Sequence, residues 1–201
     1  PLQSKHPNGI QQLLDTQRLA FIAVASPSEA AFVADKVNQC EADAMAAIVA
    51  QIYERHKGEE TTCGKRIGII VPYRNQIATV RTTLAQQNIP SHEEITIDTV
   101  ERFQGSQRDY ILFGFTIQRY YQLDFLTSNC FMEDEQVIDR KLNVAMTRAK
   151  ERLILLGNPS LLRHNAVYAQ LIDYTKTQGG YYDVPLDKFV AGKFNPPALP
   201  F

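Results

Sequence analysis

The sequence predicts a three-layer α/β domain with a mostly parallel central sheet. Short apolar runs alternate along the chain with segments whose apolar residues recur at three- and four-residue steps. The apolar runs are continuous, which is typical of strands that helices cover on both faces. The length of 201 residues suits one hydrophobic core, because a chain of this size buries about 70% of its extended surface.

Five continuous apolar runs are the predicted strands. They lie at 21–26, 66–72, 94–98, 110–115 and 152–157. Each is short, rich in β-favouring residues and bounded by polar or turn-forming residues, as buried strands are. The polar residues beside these runs are therefore expected at the edges of the sheet.

Helices with one apolar stripe are predicted between the strands. The clearest stripe runs through 41–57 and stops at Gly58, and a weaker one runs through 75–87. The last helix is predicted to begin after Asn158, with Pro159 in its first turn, and to end before Gly179.

The predicted folded unit spans 21–180. Residues 1–20 are expected to be a linker or extension, and the proline-containing segment 181–201 an irregular tail. Residues 118–135 have no clear period and are predicted to form an excursion from the sheet.

Composition limits the classes of function. The 21 basic and 22 acidic residues nearly balance, so any contact with nucleic acid is expected to be local. Cys40, Cys63 and Cys130 are far apart and match neither a zinc motif nor a disulfide framework, so no metal site is predicted. The sequence has no long apolar span and no signal peptide, and a cytoplasmic protein is expected.

A helix is predicted over 140–151, and one of its faces is small and apolar. At about 100° per residue, the inner sector is formed by Leu142, Ala145, Met146 and Ala149. Arg148 then lies on the opposite side. An exposed arginine is most often solvated or paired at the surface, so this helix alone does not establish a function for it.

Three segments resemble helicase motifs. The strings IIVPYRNQ at 69–76, TVERFQGSQRD at 99–109 and LNVAMTRAK at 142–150 resemble motifs IV, V and VI of superfamily 1 helicases. The resemblance is to the branch that includes the nonsense-mediated-decay helicase and the Okazaki-fragment nuclease-helicase, and it runs from about 21 to 162 in the family's order. It implies the second, RecA-like domain of an ATP-dependent translocase on single-stranded nucleic acid, with DNA favoured.

The sequence lacks a GxxxxGK[ST] loop, the Walker A motif that cradles the triphosphate and places a hydroxyl on magnesium. The resemblance therefore implies a P-loop NTPase-type fold without its own Walker A loop. ATP and Mg²⁺ would be bound mainly by a first RecA-like domain on the N-terminal side, and this piece alone is expected to be inactive. The string MEDEQV at 132–137 mimics a DExx box, but it follows motif V and no apolar strand precedes it.

The resemblance implies a set of residues on the ATP side. Arg148 would be the arginine finger, because its planar and permanently charged fork suits phosphate oxygens. Five further residues are expected to contact the nucleotide: Gly105, Gln104, Gln107, Gln76 and Arg74. Gln107 stands where relatives often have an acidic residue, and Gln39 stands where some have a second arginine, so a ribose contact and a two-arginine clamp are left open.

A second set is implied for nucleic acid. Thr99 and Val100 would contact the sugar-phosphate backbone. Pro72 and Tyr73 follow the strand at 66–72, and the aromatic ring would either stack on a base or cover the core. Asn143 and Thr147 are expected to couple motif VI to motif V, and Arg74 is an alternative backbone contact.

Two other classes of function are consistent with parts of the pattern. A non-catalytic binding or scaffold domain could keep this fold and also lack a phosphate loop. A phosphate-handling α/β enzyme complete in itself would need a glycine-rich turn between a strand and a helix, and the sequence has none.

Overall fold

A computed structural model describes residues 8–24, 36–103, 106–127, 130–133, 136–195 and 197 of the chain. Six parallel strands form the main sheet, in the order β3-β2-β4-β7-β1-β8. Its strands are β1 Leu19–Ala23, β2 Ile67–Val71, β3 Thr96–Thr99, β4 Arg108–Gly114, β7 Ala149–Gly157 and β8 Tyr181–Tyr182. A separate antiparallel pair consists of β5 Cys130–Glu133 and β6 Gln136–Asp139.

Helices cover both faces of this sheet. They are α1 Gly9–Thr16, α2 Gln39–Arg55, α3 Glu60–Cys63, α4 Arg74–Gln86, α5 Tyr121–Thr127, α6 Arg140–Arg148, α7 Pro159–Leu162, α8 Ala166–Thr177 and α9 Leu186–Val190. Successive side chains of β7 enter different cores: Leu153 and Leu155 face α6 and α8, whereas Ile154 and Leu156 face α2. The predicted three-layer α/β fold with a parallel sheet is confirmed.

The five predicted strands correspond to β1, β2, β3, β4 and β7. The helix predicted over 140–151 is shorter than expected, because α6 ends at Arg148 and β7 begins at Ala149. Met146 was predicted to face inward, but 47% of its surface is exposed. The predicted last helix is two helices, since Asn165 caps a new helix three residues after α7 ends.

Both chain ends contribute to the fold where the structure describes them. In the segment expected to be a linker, α1 buries Leu13 and Leu14 completely. In the segment expected to be an irregular tail, β8 pairs with β1, and α9 buries Phe189. The folded unit therefore extends beyond 21–180 on both sides. Among the described helices, none has both the length and the apolar character needed to cross a bilayer.

Candidate functional site

The predicted site residues lie at two opposite edges of the sheet. Because all six strands are parallel, their carboxyl ends share one edge and their amino ends share the other. Thr99 ends β3 and pairs with Val71 at the end of β2, which places Thr99 at the carboxyl edge. Arg148 directly precedes β7 at the amino edge. The seven residues of β4 separate these edges by roughly 20 Å.

The N-terminus of α6 is firmly anchored in the protein. The Asp139 side chain accepts hydrogen bonds from the backbone N–H groups of Lys141 at 2.8 Å and Leu142 at 3.2 Å, so it caps the helix. Its other carboxylate oxygen accepts a hydrogen bond from the Tyr168 hydroxyl. Leu142 and Ala145 are buried against the sheet. These contacts fix the direction of α6 and therefore the position of its last residue, Arg148.

Arg148 is half-buried at the C-terminal end of α6. Its Nε atom is buried and has no hydrogen-bond partner in the described part of the chain. No carboxylate among the described residues forms an ion pair with its guanidinium. The positive charge is therefore not neutralised by the described residues, and the side chain reaches the surface at the amino edge.

The segments that resemble motifs V and VI meet beside this arginine. The exposed Gln107 precedes β4, and its Nε2 donates a hydrogen bond to the backbone oxygen of Thr147 at 3.3 Å. The Thr147 hydroxyl donates to the Val144 oxygen at 3.0 Å. Asn143 was predicted to link the two motifs, but its side chain is exposed and makes no hydrogen bond to a described residue. Gln107 makes the link instead. Gln104 and Gly105 lie outside the described residues.

A cleft of about 560 Å³ lies at the carboxyl edge, and we call it the carboxyl-edge cleft. It is lined by Lys36, Pro72, Tyr73, Arg74, Asn75, Thr99, Glu101, Arg102 and Phe125. The structure thus brings together three of the four residues predicted to contact nucleic acid, although they come from two strand ends. Three of the lining residues are cations and one is an acid, so the cleft is locally basic in a chain whose net charge is −1.

The fourth residue, Val100, is 4% exposed, and its side chain packs in the core. Tyr73 is 6% exposed and stacks on Phe125, with 5.2 Å between the ring centroids and 24° between the planes. Of the two roles predicted for Tyr73, this geometry favours covering the core. Phe125, which the sequence did not single out, is the exposed ring of the pair at 51%.

Two residues expected to contact the nucleotide lie away from Arg148. Arg74 begins α4, is exposed and lines the carboxyl-edge cleft. Gln76 is completely buried, and both ends of its amide are used by Asn38. Its oxygen accepts from the Asn38 N–H at 2.7 Å, and its Nε2 donates to the Asn38 oxygen at 2.9 Å. This geometry corrects the predicted nucleotide contact of Gln76, which instead holds the start of α2 against α4.

A buried carboxyl group was also missed by sequence reasoning. Glu41 has no exposed surface, and both of its carboxylate oxygens accept the Thr116 N–H at 3.0 Å. Burial raises the pKa of Glu41 to about 8, although hydrogen bonds from Thr116 and Asn38 oppose the rise. Its spacing of four residues from Met45, on the apolar stripe of α2, was the signal that could have identified it.

No group of three or more His, Cys, Asp or Glu side chains in the described ranges is arranged to hold a metal ion. Magnesium bound with a nucleotide would take its protein ligands chiefly from a Walker A loop and a DExx carboxylate, and the sequence lacks a Walker A loop.

The parallel sheet, the ordered motifs and the capped helix that ends in Arg148 define a class of protein. They are the features of the C-terminal RecA-like domain of a superfamily 1B helicase. The chain belongs to the family described as AAA domain, which matches residues 2–160.

Several similar proteins carry helicase names. The chain is 32% identical over 137 residues to the mov-10-B.2 protein of Danio rerio. That alignment covers 65% of this chain and 13% of the Danio rerio protein. It is 32% identical over 141 residues to RNA helicase Mov10l1 of Homo sapiens, with 66% and 10% covered. It is 33% identical over 116 residues to Regulator of nonsense transcripts 1 of Dictyostelium discoideum, with 56% and 8% covered. These matches confirm the resemblance to superfamily 1B helicases.

The chain spans about a tenth of the length of these relatives. A solved structure described as the C-terminal domain of a possible DNA helicase from Lactobacillus plantarum aligns with a TM-score of 0.42 and 12% identity. That alignment covers 82% of this chain and 97% of the other.

Proposed function

We propose that this chain is the C-terminal motor domain of an ATP-dependent helicase or translocase that acts on single-stranded nucleic acid. In this proposal, ATP and Mg²⁺ are held mainly by an N-terminal RecA-like domain of the same protein. This domain contributes motifs IV, V and VI and the arginine finger. Its carboxyl-edge cleft contacts the strand.

The position of Arg148 carries the proposal. Phosphoryl transfer spreads negative charge over the γ-phosphate oxygens, and an arginine supplied across a cleft accelerates it by about 10³- to 10⁵-fold. Such a residue must be held by its own domain while its charge stays available. Arg148 meets both conditions, since α6 is anchored at Asp139 and no described carboxylate pairs with the guanidinium.

The carboxyl-edge cleft supports the second half of the proposal. Lys36, Arg74 and Arg102 supply local positive charge, and Thr99 places a hydroxyl at the end of β3, while its main-chain N–H donates to the Asp98 side chain at 2.8 Å. Contacts of this kind bind the phosphate backbone without reading sequence. Relatives include a named RNA helicase, so the choice between DNA and RNA is a matter for the test.

The first test measures ATP hydrolysis by the full-length protein, alone and with single-stranded DNA or RNA. We expect hydrolysis that at least one of these strands stimulates. Binding of a strand without any hydrolysis would instead support the non-catalytic binding domain considered above.

The second test compares two arginine variants of the full-length protein. Arg148→Ala is expected to lower the rate of hydrolysis by about 10³- to 10⁵-fold while changing the affinity for ATP little. The control is Arg163→Ala, because Arg163 is an exposed arginine that pairs with Asp173 within this domain. The assignment of Arg148 as the arginine finger fails if the Arg148→Ala variant hydrolyses ATP at a rate within a few-fold of the wild-type rate.

A further inference from the structure

We propose that Phe125 is a nucleobase-contact residue in the carboxyl-edge cleft and that Lys141 of α6 positions it. The inference rests on the proposed function and adds to it a base-dependent part of the binding energy. It also identifies a contact between the cleft and the helix that ends in Arg148.

The exposure of Phe125 is the first observation. It lies on α5, lines the cleft and has 51% of its surface exposed, whereas its stacking partner Tyr73 is 6% exposed. Tyr73 therefore supports the ring from the protein side. Aromatic rings that stand beside a basic groove bind bases of any identity, because every base has a π-face.

The surrounding charge fits a single strand. Lys36, Arg74 and Arg102 line the same cleft as Phe125, and Glu101 is the acid among its lining residues. Cations that follow the backbone next to an aromatic side chain are the usual arrangement for single-stranded nucleic acid. A hydrophobic peptide would gain little from these cations, so we commit to a nucleic acid strand as the ligand.

Lys141 fixes the place of this ring. Although it is a lysine, it is only 4% exposed, and its Nζ donates a hydrogen bond to the Phe125 backbone oxygen at 3.2 Å. The same ammonium lies 4.5 Å from the centroid of the Phe125 ring, in a cation–π contact. Lys141 is in the first turn of α6, two residues after the capping residue Asp139. Phe125 is thus held to α6 through both its backbone oxygen and its ring.

The test separates bases from backbone. Affinities of the full-length protein are measured for oligo(dT) or oligo(U), whichever the wild type binds, and for a strand of equal length built from abasic residues. Phe125→Ala is expected to weaken binding of the ordinary strand by about 5- to 150-fold and to leave binding of the abasic strand unchanged. Tyr121→Ala is the matched control, because Tyr121 is 57% exposed on the same helix but does not line the cleft.

Four further variants keep the test decisive if the alanine variant folds poorly. Phe125→Tyr retains the ring and is expected to keep the preference for the ordinary strand, whereas Phe125→Leu is expected to lose it. Lys141→Met should reduce the same preference by about 2- to 30-fold, and Lys141→Arg should restore part of it. A merely structural loss would lower the affinity for both kinds of strand equally.

The outcomes distinguish the two levels of the proposal. A wild-type protein that binds no single strand would overturn the proposed function together with this inference. Only the base contact would be overturned if the wild-type protein binds a single strand and the Phe125 variants weaken binding of ordinary and abasic strands equally. The same holds if those variants weaken binding of neither strand.

Discussion

Replacing Glu41 with glutamine should stabilise the domain at neutral pH. Glu41 is completely buried in the first turn of α2, and its described hydrogen-bond partners are Thr116 and Asn38, which carry no charge. Burial raises the pKa of the Glu41 carboxyl from its ordinary 4.5 to about 8. The folded state therefore favours the protonated, neutral form.

The linkage between protonation of Glu41 and folding gives the sign and size of the effect on the free energy of unfolding. Because the folded pKa lies above the unfolded pKa, the stabilising contribution is fully present below pH 4.5 and is lost as the pH rises to about 8. Each unit between the two values corresponds to about 1.4 kcal/mol, so the loss is about 3 kcal/mol at pH 7 and approaches about 5 kcal/mol above pH 8.

Glutamine fits the same site without a charge. Its side-chain oxygen, in the Oε1 position, can accept the Thr116 N–H and the Asn38 Nδ2–H, while its amide donates to the Thr116 hydroxyl oxygen, which lies 3.3 Å from Oε2 of Glu41. The Thr116 N–H, which lies 3.0 Å from both oxygens of Glu41, then has the glutamine oxygen as its one acceptor at this site. We therefore expect Glu41→Gln to be more stable than the wild type by about 3 kcal/mol at pH 7 and nearly equal to it near pH 4.

The assay is denaturant unfolding of the 201-residue chain between pH 4 and pH 9. The free energy of unfolding of the wild type should fall across this range, and that of Glu41→Gln should change less. Glu54→Gln is the control, because Glu54 is exposed on the same helix and should keep the wild-type profile. A Glu41→Gln variant that is less stable than the wild type at pH 7 would show that the carboxylate is ionised in the fold, and the reasoning would be refuted.

Two further predictions concern the carboxyl-edge cleft and the sheet. Arg102→Ala in the full-length protein should lower the slope of log affinity against log salt by about 0.7 for a single strand, as measured by titration at several salt concentrations; an unchanged slope would exclude a phosphate contact of Arg102. Gly68→Ala should destabilise the domain by about 1 to 3 kcal/mol, because a Cβ would clash with the Phe103 ring and lie 2.8 Å from Ile111 Cδ1. Thermal unfolding checks the second change, and an unaltered midpoint would mean that this part of the core adapts freely.

The fold was largely predictable because its strands are continuous apolar runs. Strand β8 has two residues, Tyr181 and Tyr182, which is too short for a periodic signal, and it exists because β1 offers it an open edge. Helix α1 also escaped prediction, since its eight residues form a helix only marginally stable without tertiary packing. Elements that depend on a partner elsewhere in the chain are the ones that local pattern missed.

The site was predictable as a set of motifs but not as a set of contacts. The sequence placed Gln76 in motif IV, yet only the fold shows that Asn38 occupies both ends of its amide. Lys36 and Phe125 reach the cleft from segments outside the quoted motifs, so their approach to Thr99 depends on tertiary structure. Motif resemblance identified the two edges, and the fold decided which side chains are available there.

Helix α6 gives a physical path between the two edges. Its nine residues span about 13 Å, with Arg148 at the end beside the amino edge and Lys141 in the first turn, in contact with Phe125. The Asp139 cap and the buried Leu142 and Ala145 side chains leave little room for the helix to deform. A force on Arg148 would therefore displace α6 as a rigid unit. Because Lys141 contacts both the backbone oxygen and the ring of Phe125, displacement of α6 would move the exposed Phe125 ring in the carboxyl-edge cleft. In the proposed function, a rigid shift of this one capped helix would couple the nucleotide to the strand without unfolding.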